Sequence, residues 1–128
     1  INNFLEIGHK IIFIYPIPHI EQNVSEKIYK IFKTSNNHLK NYLSDSENYV
    51  SIDYLQFKKD SNHIFKFLSS ITHKNLYSIY PHNIFCNKDK CFGHNKNDIF
   101  YVDGSHLSKI GSKLVNKELL KIINNIYK

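Results

Sequence analysis

The chain contains no arginine, no alanine, no methionine and no tryptophan, and among its 128 residues there are only four glycines, three prolines and two cysteines. Each shortage excludes something. Without arginine there are no guanidinium forks for bidentate contacts to bases and phosphates, so nucleic acid is not the expected partner. All 17 cations are lysines and the formal charge is +6, which leaves weak attraction to anionic polymers as the most that charge alone implies. Without a run approaching the ~20 apolar residues of a membrane span, no transmembrane helix is expected. Nothing resembles a signal peptide. The chain has no methionine and opens on Ile1, so upstream residues are expected, together with any export signal or tether. The abundance of Ile, Asn and Lys beside the missing Ala and Arg matches AT-rich codon usage and needs no functional cause. A chain of this length forms one domain at most.

The apolar pattern alternates between strand and helix. Phe4, Leu5 and Ile7 read as the end of a lead-in helix stopped at Gly8. Residues 10–15 form a continuous β-branched and aromatic run, the pattern of a strand covered on both faces. Pro16 and Pro18 end it, because proline cannot donate to a ladder. Residues 24–33 carry one apolar stripe and predict a short helix. Thr34 to Asn37 is a polar break, and His38 to Leu43 adds a turn of helix. Asp45-Ser46-Glu47 looks like a helix start, and the spacing from Tyr49 to Ile71 predicts one helix with Leu55, Ile64, Phe67 and Leu68 on its apolar side, or two with a break near Asp60-Ser61-Asn62. Leu76 to Tyr80 is a second strand, stopped by Pro81. A loop with both cysteines follows, then a short strand or extended run from Ile99 to Val102. From Leu107 an amphipathic helix runs nearly to the C-terminus, with Ile110, Leu114, Val115, Leu119 and Ile122 on its apolar side. Lys109, Lys113, Lys117 and Lys121 recur every four residues and read as one solvated face. Strand, helices, strand, loop, extended run and helix make an α/β pattern.

Chemistry concentrates in Tyr101-Val102-Asp103-Gly104-Ser105-His106-Leu107-Ser108-Lys109-Ile110-Gly111. An Asp and a His three residues apart, where extended chain turns into helix, can hydrogen-bond to each other. That is the orienting half of an Asp-His-Ser relay. The competing explanation has Asp103 or Ser105 capping the last helix and His106 as a surface residue. His19, just after the proline turn, is a weaker candidate for a substrate contact, since chemistry in parallel sheets gathers at the carboxyl ends of strands. His9, His38, His63 and His73 read as turn or surface residues. Cys86 and Cys91 are flanked as H-x3-C-x4-C-x2-H by His82 and His94. Three states fit: a small-loop disulfide, free thiols, or a zinc site, although zinc more often takes C-x2-C pairs.

In this order the residues resemble a known family. Asp103, His106, Leu107, Ser108 and Gly111 spell Asp-x-x-His-Leu-Ser-x-x-Gly, which is similar to the last conserved block of the SGNH (GDSL-like) hydrolases. The closer resemblance is to the SGNH domain fused to acyltransferase-3 proteins, which O-acylate bacterial surface polysaccharides. There too a hydrophobic strand ends in a proline-rich turn, as from Ile11 to Pro18, and a paired-cysteine loop precedes the Asp-His block. The match in order spans roughly residues 10–120. It implies a flavodoxin-like three-layer α/β sandwich with a parallel sheet. It implies a serine nucleophile, with His106 as general base and Asp103 as its orienter, and a relay that needs no cofactor. It implies a location outside the cytoplasmic membrane, which agrees with a Cys86–Cys91 disulfide. The implied partners are an acyl donor, a cell-surface glycan acceptor and a fused transmembrane acyltransferase domain. The family's Gly-Asp-Ser block is absent from this sequence, and Asn2, Asn3 and Gly8 sit in no motif matching its oxyanion hole. Residues 1–128 are therefore expected to be the C-terminal part of such a domain, inactive alone. The alternatives are a non-catalytic α/β module that holds glycan, and a zinc module built on His82, Cys86, Cys91 and His94.

Overall fold

The computed structural model describes residues 1–34 and 39–128; the His38 expectation lies outside them. Helix α1 (Asn2–Glu6) leads into strand β1 (Ile11–Ile14), then helix α2 (Val24–Thr34) and helix α3 (Leu39–Ser44). A 3-10 turn spans Ser46–Asn48, with the Asp45 carboxylate accepting the Glu47 N–H. Strand β2 (Ser51–Asp53) runs directly into helix α4 (Tyr54–Ser69). Strand β3 (Leu76–Ile79), helix α5 (His82–Phe85), strand β4 (Lys90–Phe92) and helix α6 (Lys109–Ile126) complete the chain.

This is an α/β arrangement with a parallel sheet. β1 pairs in parallel with β3, Ile11 opposite Leu76 and Ile14 opposite Ile79. The Tyr15 N–H extends the ladder to the Ile79 carbonyl. Parallel pairing puts both carboxyl ends, and hence Pro16 and Pro81, at one end of the sheet. β2 and β4 form a separate antiparallel pair. The core joins Ile20, Val24 and Ile28 to Val50, Ile79, Phe85, Phe100, Tyr101 and Val115. Residues just past β1, the start of α2, the end of β3 and the middle of α6 thus meet in one cluster. Each such side chain contributes about 1.5–3 kcal/mol by burial.

Several expectations change. The helix expected from Tyr49 starts only at Tyr54, because Ser51–Asp53 pairs with Lys90–Phe92. That partner lies about 40 residues away, and no local period reveals it. No break occurs at Asp60-Ser61-Asn62; α4 runs through, with Ser61 buried. Leu55 and Phe67 face solvent, and Phe57 takes the buried place. The β1 strand is not covered on both faces, since Ile14 is exposed. Ile110 is likewise exposed on α6, where Gly111 and Val115 are buried. Ile99 to Val102 is extended chain held by isolated bridges, Tyr101 to Leu107 among them.

The cysteines pair with each other as a disulfide. This removes the zinc alternative: oxidised sulfur offers no thiolate, and both ring nitrogens of His94 are engaged elsewhere. His94 is buried; its Nε2 accepts the Val50 N–H at 2.9 Å, and its Nδ1 lies 3.1 Å from the Asn95 carbonyl. That pairing requires the neutral tautomer with the proton on Nδ1. His82 is buried among the rings of Tyr54, Phe57, Phe65 and Tyr80.

Burial, with Lys58 nearby for His82 and Lys27 for His94, lowers both imidazole pKa values below 6.5. The folded state therefore favours neutral rings, while the unfolded chain takes up protons from about pH 6.5 downward. The stabilisation is complete above that pH and is lost as pH falls toward the depressed folded values. Melting temperature is expected to drop between pH 7.5 and 5, and His94→Gln is expected to flatten part of the drop. A flat profile across that window would contradict the neutral-histidine account.

Candidate active site

The turn from Tyr101 to Ser108 is held at both ends by its own backbone. The Val102 N–H donates to the His106 carbonyl at 2.9 Å, and the Ser108 N–H donates to the Phe100 carbonyl at 2.8 Å. Ser108 then starts α6. Its hydroxyl donates to the Ile99 carbonyl at 2.6 Å and accepts the N–H groups of Ile110 and Gly111, both at 3.1 Å. The helix cap is therefore Ser108, not Asp103 or Ser105, and it ties α6 to the extended run. Gly111 allows this: a Cβ there would sit 2.2 Å from the Phe100 carbonyl oxygen.

Asp103 is thereby free for another role. One carboxylate oxygen, Oδ1, accepts the N–H groups of Ser105 and His106, each at 2.7 Å. The other, Oδ2, lies 2.8 Å from His106 Nδ1. The two backbone N–H bonds, followed by the bond to the His106 ring, hold the Asp103 carboxyl well below the usual carboxylate range. An ionised carboxylate facing Nδ1 keeps the ring proton there. That leaves Nε2 as the acceptor, with no partner among the described residues. The Ser105 hydroxyl is 3.4 Å from Nδ1 and from Asp103 Oδ1. It therefore stands on the Asp103 side of the ring and is badly placed to give a proton to Nε2.

A second loop supports this turn. The Ile20 N–H donates to the Gly104 carbonyl at 2.7 Å. The Tyr101 hydroxyl donates to the Pro18 carbonyl at 2.8 Å, and the Ser25 hydroxyl to the Tyr101 carbonyl at 3.2 Å. The Tyr101 side chain is wholly buried, and that burial pushes its phenol pKa up, so it remains a donor. The structure thus brings the proline turn after β1 against the Asp103–His106 turn across more than 80 residues of sequence. His19 lies in this loop and is exposed. Cys86 and Cys91 stand apart, joining α5 to β4. Sequence patterns did not single out Tyr101, Gly104 or Ser25 as parts of the site. A tyrosine one residue short of the strand's expected end was the only available signal, and a core aromatic reads the same way.

The arrangement can accept a proton at His106 Nε2 and stabilise the resulting imidazolium through Asp103. Among the described residues no group of three or more His, Cys, Asp or Glu side chains is placed to hold a metal ion. None of the described helices is long and apolar enough to cross a membrane. Comparison with curated proteins and with solved structures found no match. The family model for the SGNH domain fused to AT3 domains matches residues 1–121, nearly the whole chain. With the Asp103–His106 pair standing where that family's last block was expected, the chain belongs to the SGNH domains fused to AT3 domains.

Proposed function

We propose that this chain supplies the acid–base half of a serine acyltransferase or esterase acting on a cell-surface polysaccharide. The observation that carries it is the Asp103–His106 pair: carboxylate anchored by two backbone N–H groups, imidazole bonded through Nδ1, Nε2 without a partner among the described residues. The nucleophilic serine is brought to Nε2 by a segment of the polypeptide other than the residues described. His106 takes the serine proton as Oγ attacks the acyl carbonyl of the donor. The imidazolium, held by Asp103, returns the proton to the leaving group, and the acyl group stays on serine as an ester. A sugar hydroxyl then gives its proton to His106 and attacks that ester, the acyl–Oγ bond breaks, and the imidazolium returns the proton to the serine Oγ; water in place of the sugar makes the same machinery an esterase. His19, at the end of the proline turn, is the candidate for a contact with the acceptor, because strand ends border sites in parallel sheets. The family's association with AT3 domains and the Cys86–Cys91 disulfide support a location outside the cytoplasmic membrane.

The test is a fluorophosphonate adduct. The intact polypeptide containing this chain, treated with the reagent and digested, is expected to show one modified serine outside residues 1–128. Absence of any serine adduct would leave a non-catalytic glycan-binding module in its place.

A further inference from the structure

Helix α6 carries a feature that the proton relay does not use. Lys109, Lys113, Lys117 and Lys121 are all exposed. Only Lys121 has a counter-ion among the described residues, Glu118 at 2.7 Å. Lysines at i, i+4 repel one another, and the first turn of α6, whose N-terminal end favours anions, contains no acid. The row is therefore unfavourable for the isolated helix, and a polyanion bound along it would relieve the repulsion.

The geometry of the row indicates which polyanion. At 3.6 residues per turn, each step of four advances about 40° around the helix. From Lys109, three residues after His106, the row winds around α6 to Lys121, and the next position in it is Asn125. Lys121 and Asn125 both line a groove of 470 Å³ between α6 and the end of β3. Ser78, Tyr80, Asn83 and Glu118 complete its polar lining. Hydroxyls, amides and a half-exposed tyrosine ring suit the hydroxyls and apolar faces of a sugar ring.

We propose that α6 is the track for the acceptor, and that this acceptor is an anionic polysaccharide bearing carboxylate or phosphate groups. The polymer lies along the lysines, with one end at His106 and the other in the groove. A flexible chain can follow a row that turns by about 120° over three steps, whereas a flat bilayer meets only part of it. The large exposed apolar side chains along this face among the described residues are Ile110, Leu120 and the C-terminal Tyr127, too widely spaced to form one patch for insertion into lipid. The track rests on the acyl-transfer function and names its acceptor.

Binding of the full chain to polygalacturonate, to neutral dextran and to phosphatidylglycerol vesicles tests it. Polygalacturonate is expected to bind, with affinity falling as salt rises, and dextran to bind at least tenfold more weakly. Replacing Lys109, Lys113 and Lys117 together by Gln is expected to weaken polygalacturonate binding at least tenfold, with the circular dichroism spectrum unchanged. Equal binding by the triple variant, equal binding of dextran, or binding confined to the vesicles would overturn the proposal. Polygalacturonate binding is read without turnover, so absence of a fluorophosphonate-modified serine marks failure of the catalytic function and absence of polymer binding marks failure of the track.

Discussion

His106→Ala, in the intact polypeptide, is expected to lower kcat for acyl transfer by about 10⁴ or more while leaving the melting temperature nearly unchanged. The two halves of that expectation have separate physical grounds. The His106 side chain is 78% exposed, so its removal creates no cavity, and surface changes of this kind stay within about 0.5 kcal/mol. Its loss removes the group that takes the serine proton in the proposed relay. Asp103→Asn makes a finer version of the test. The amide oxygen can still accept the two backbone N–H groups, so the turn stays folded. The amide nitrogen then faces Nδ1 and, being a donor, forces the ring proton onto Nε2, where it blocks proton uptake. A loss approaching that of His106→Ala is expected, about 10⁴. Ser105→Ala is the control. It leaves the Ser105 backbone bond to Asp103 in place and deletes a hydroxyl that makes only 3.4 Å contacts. Activity is expected within about threefold of the parent. Steady-state kinetics of the three variants decide the matter: retained activity in His106→Ala, or its loss in Ser105→Ala, would remove the relay as drawn.

Gly104→Ala carries the second large effect, and it acts through packing. A Cβ at this position would stand 2.1 Å from the Ile20 carbonyl oxygen and 3.3 Å from that of Gln22. Both are backbone atoms, and Ile20 is wholly buried in the core. The loop after β1 therefore cannot yield, and the Asp103–His106 turn must lift away. That breaks the 2.7 Å bond from the Ile20 N–H to the Gly104 carbonyl. Overpacking of this kind costs about 1–3 kcal/mol, or roughly 3–10 °C in melting temperature for a chain of this size. Activity is expected to fall more than stability, because the displaced turn carries both Asp103 and His106. Thermal unfolding measured beside kinetics separates the two losses. A variant with unchanged melting temperature would mean that the two loops are not pressed together as described.

The part of the site that could be read from the sequence was the part made by neighbours in the chain. Asp103 and His106 are three residues apart, and their hydrogen bond forms within one turn, so residue type and spacing sufficed. The Ser108 cap and the small residue at Gly111 are local in the same sense, since both serve the first turn of α6. The helix expected from Tyr49 shows the converse. Ser51, Ile52 and Asp53 fit a helical period locally but pair with Phe92, Cys91 and Lys90, and tertiary pairing overrode the pattern.

By itself, the sequence determined the α/β alternation, the two strands ending in proline, and the Asp-His pair, because each depends on residues close together in the chain. Only the tertiary structure decided that Tyr101 and Gly104 lock this pair against the loop after β1. It also decided that the cysteines join to each other rather than to zinc, and that the lysine row of α6 winds into a groove beside β3. Those arrangements depend on which distant segments the core draws together, and burial of apolar surface does that without leaving a local period to read.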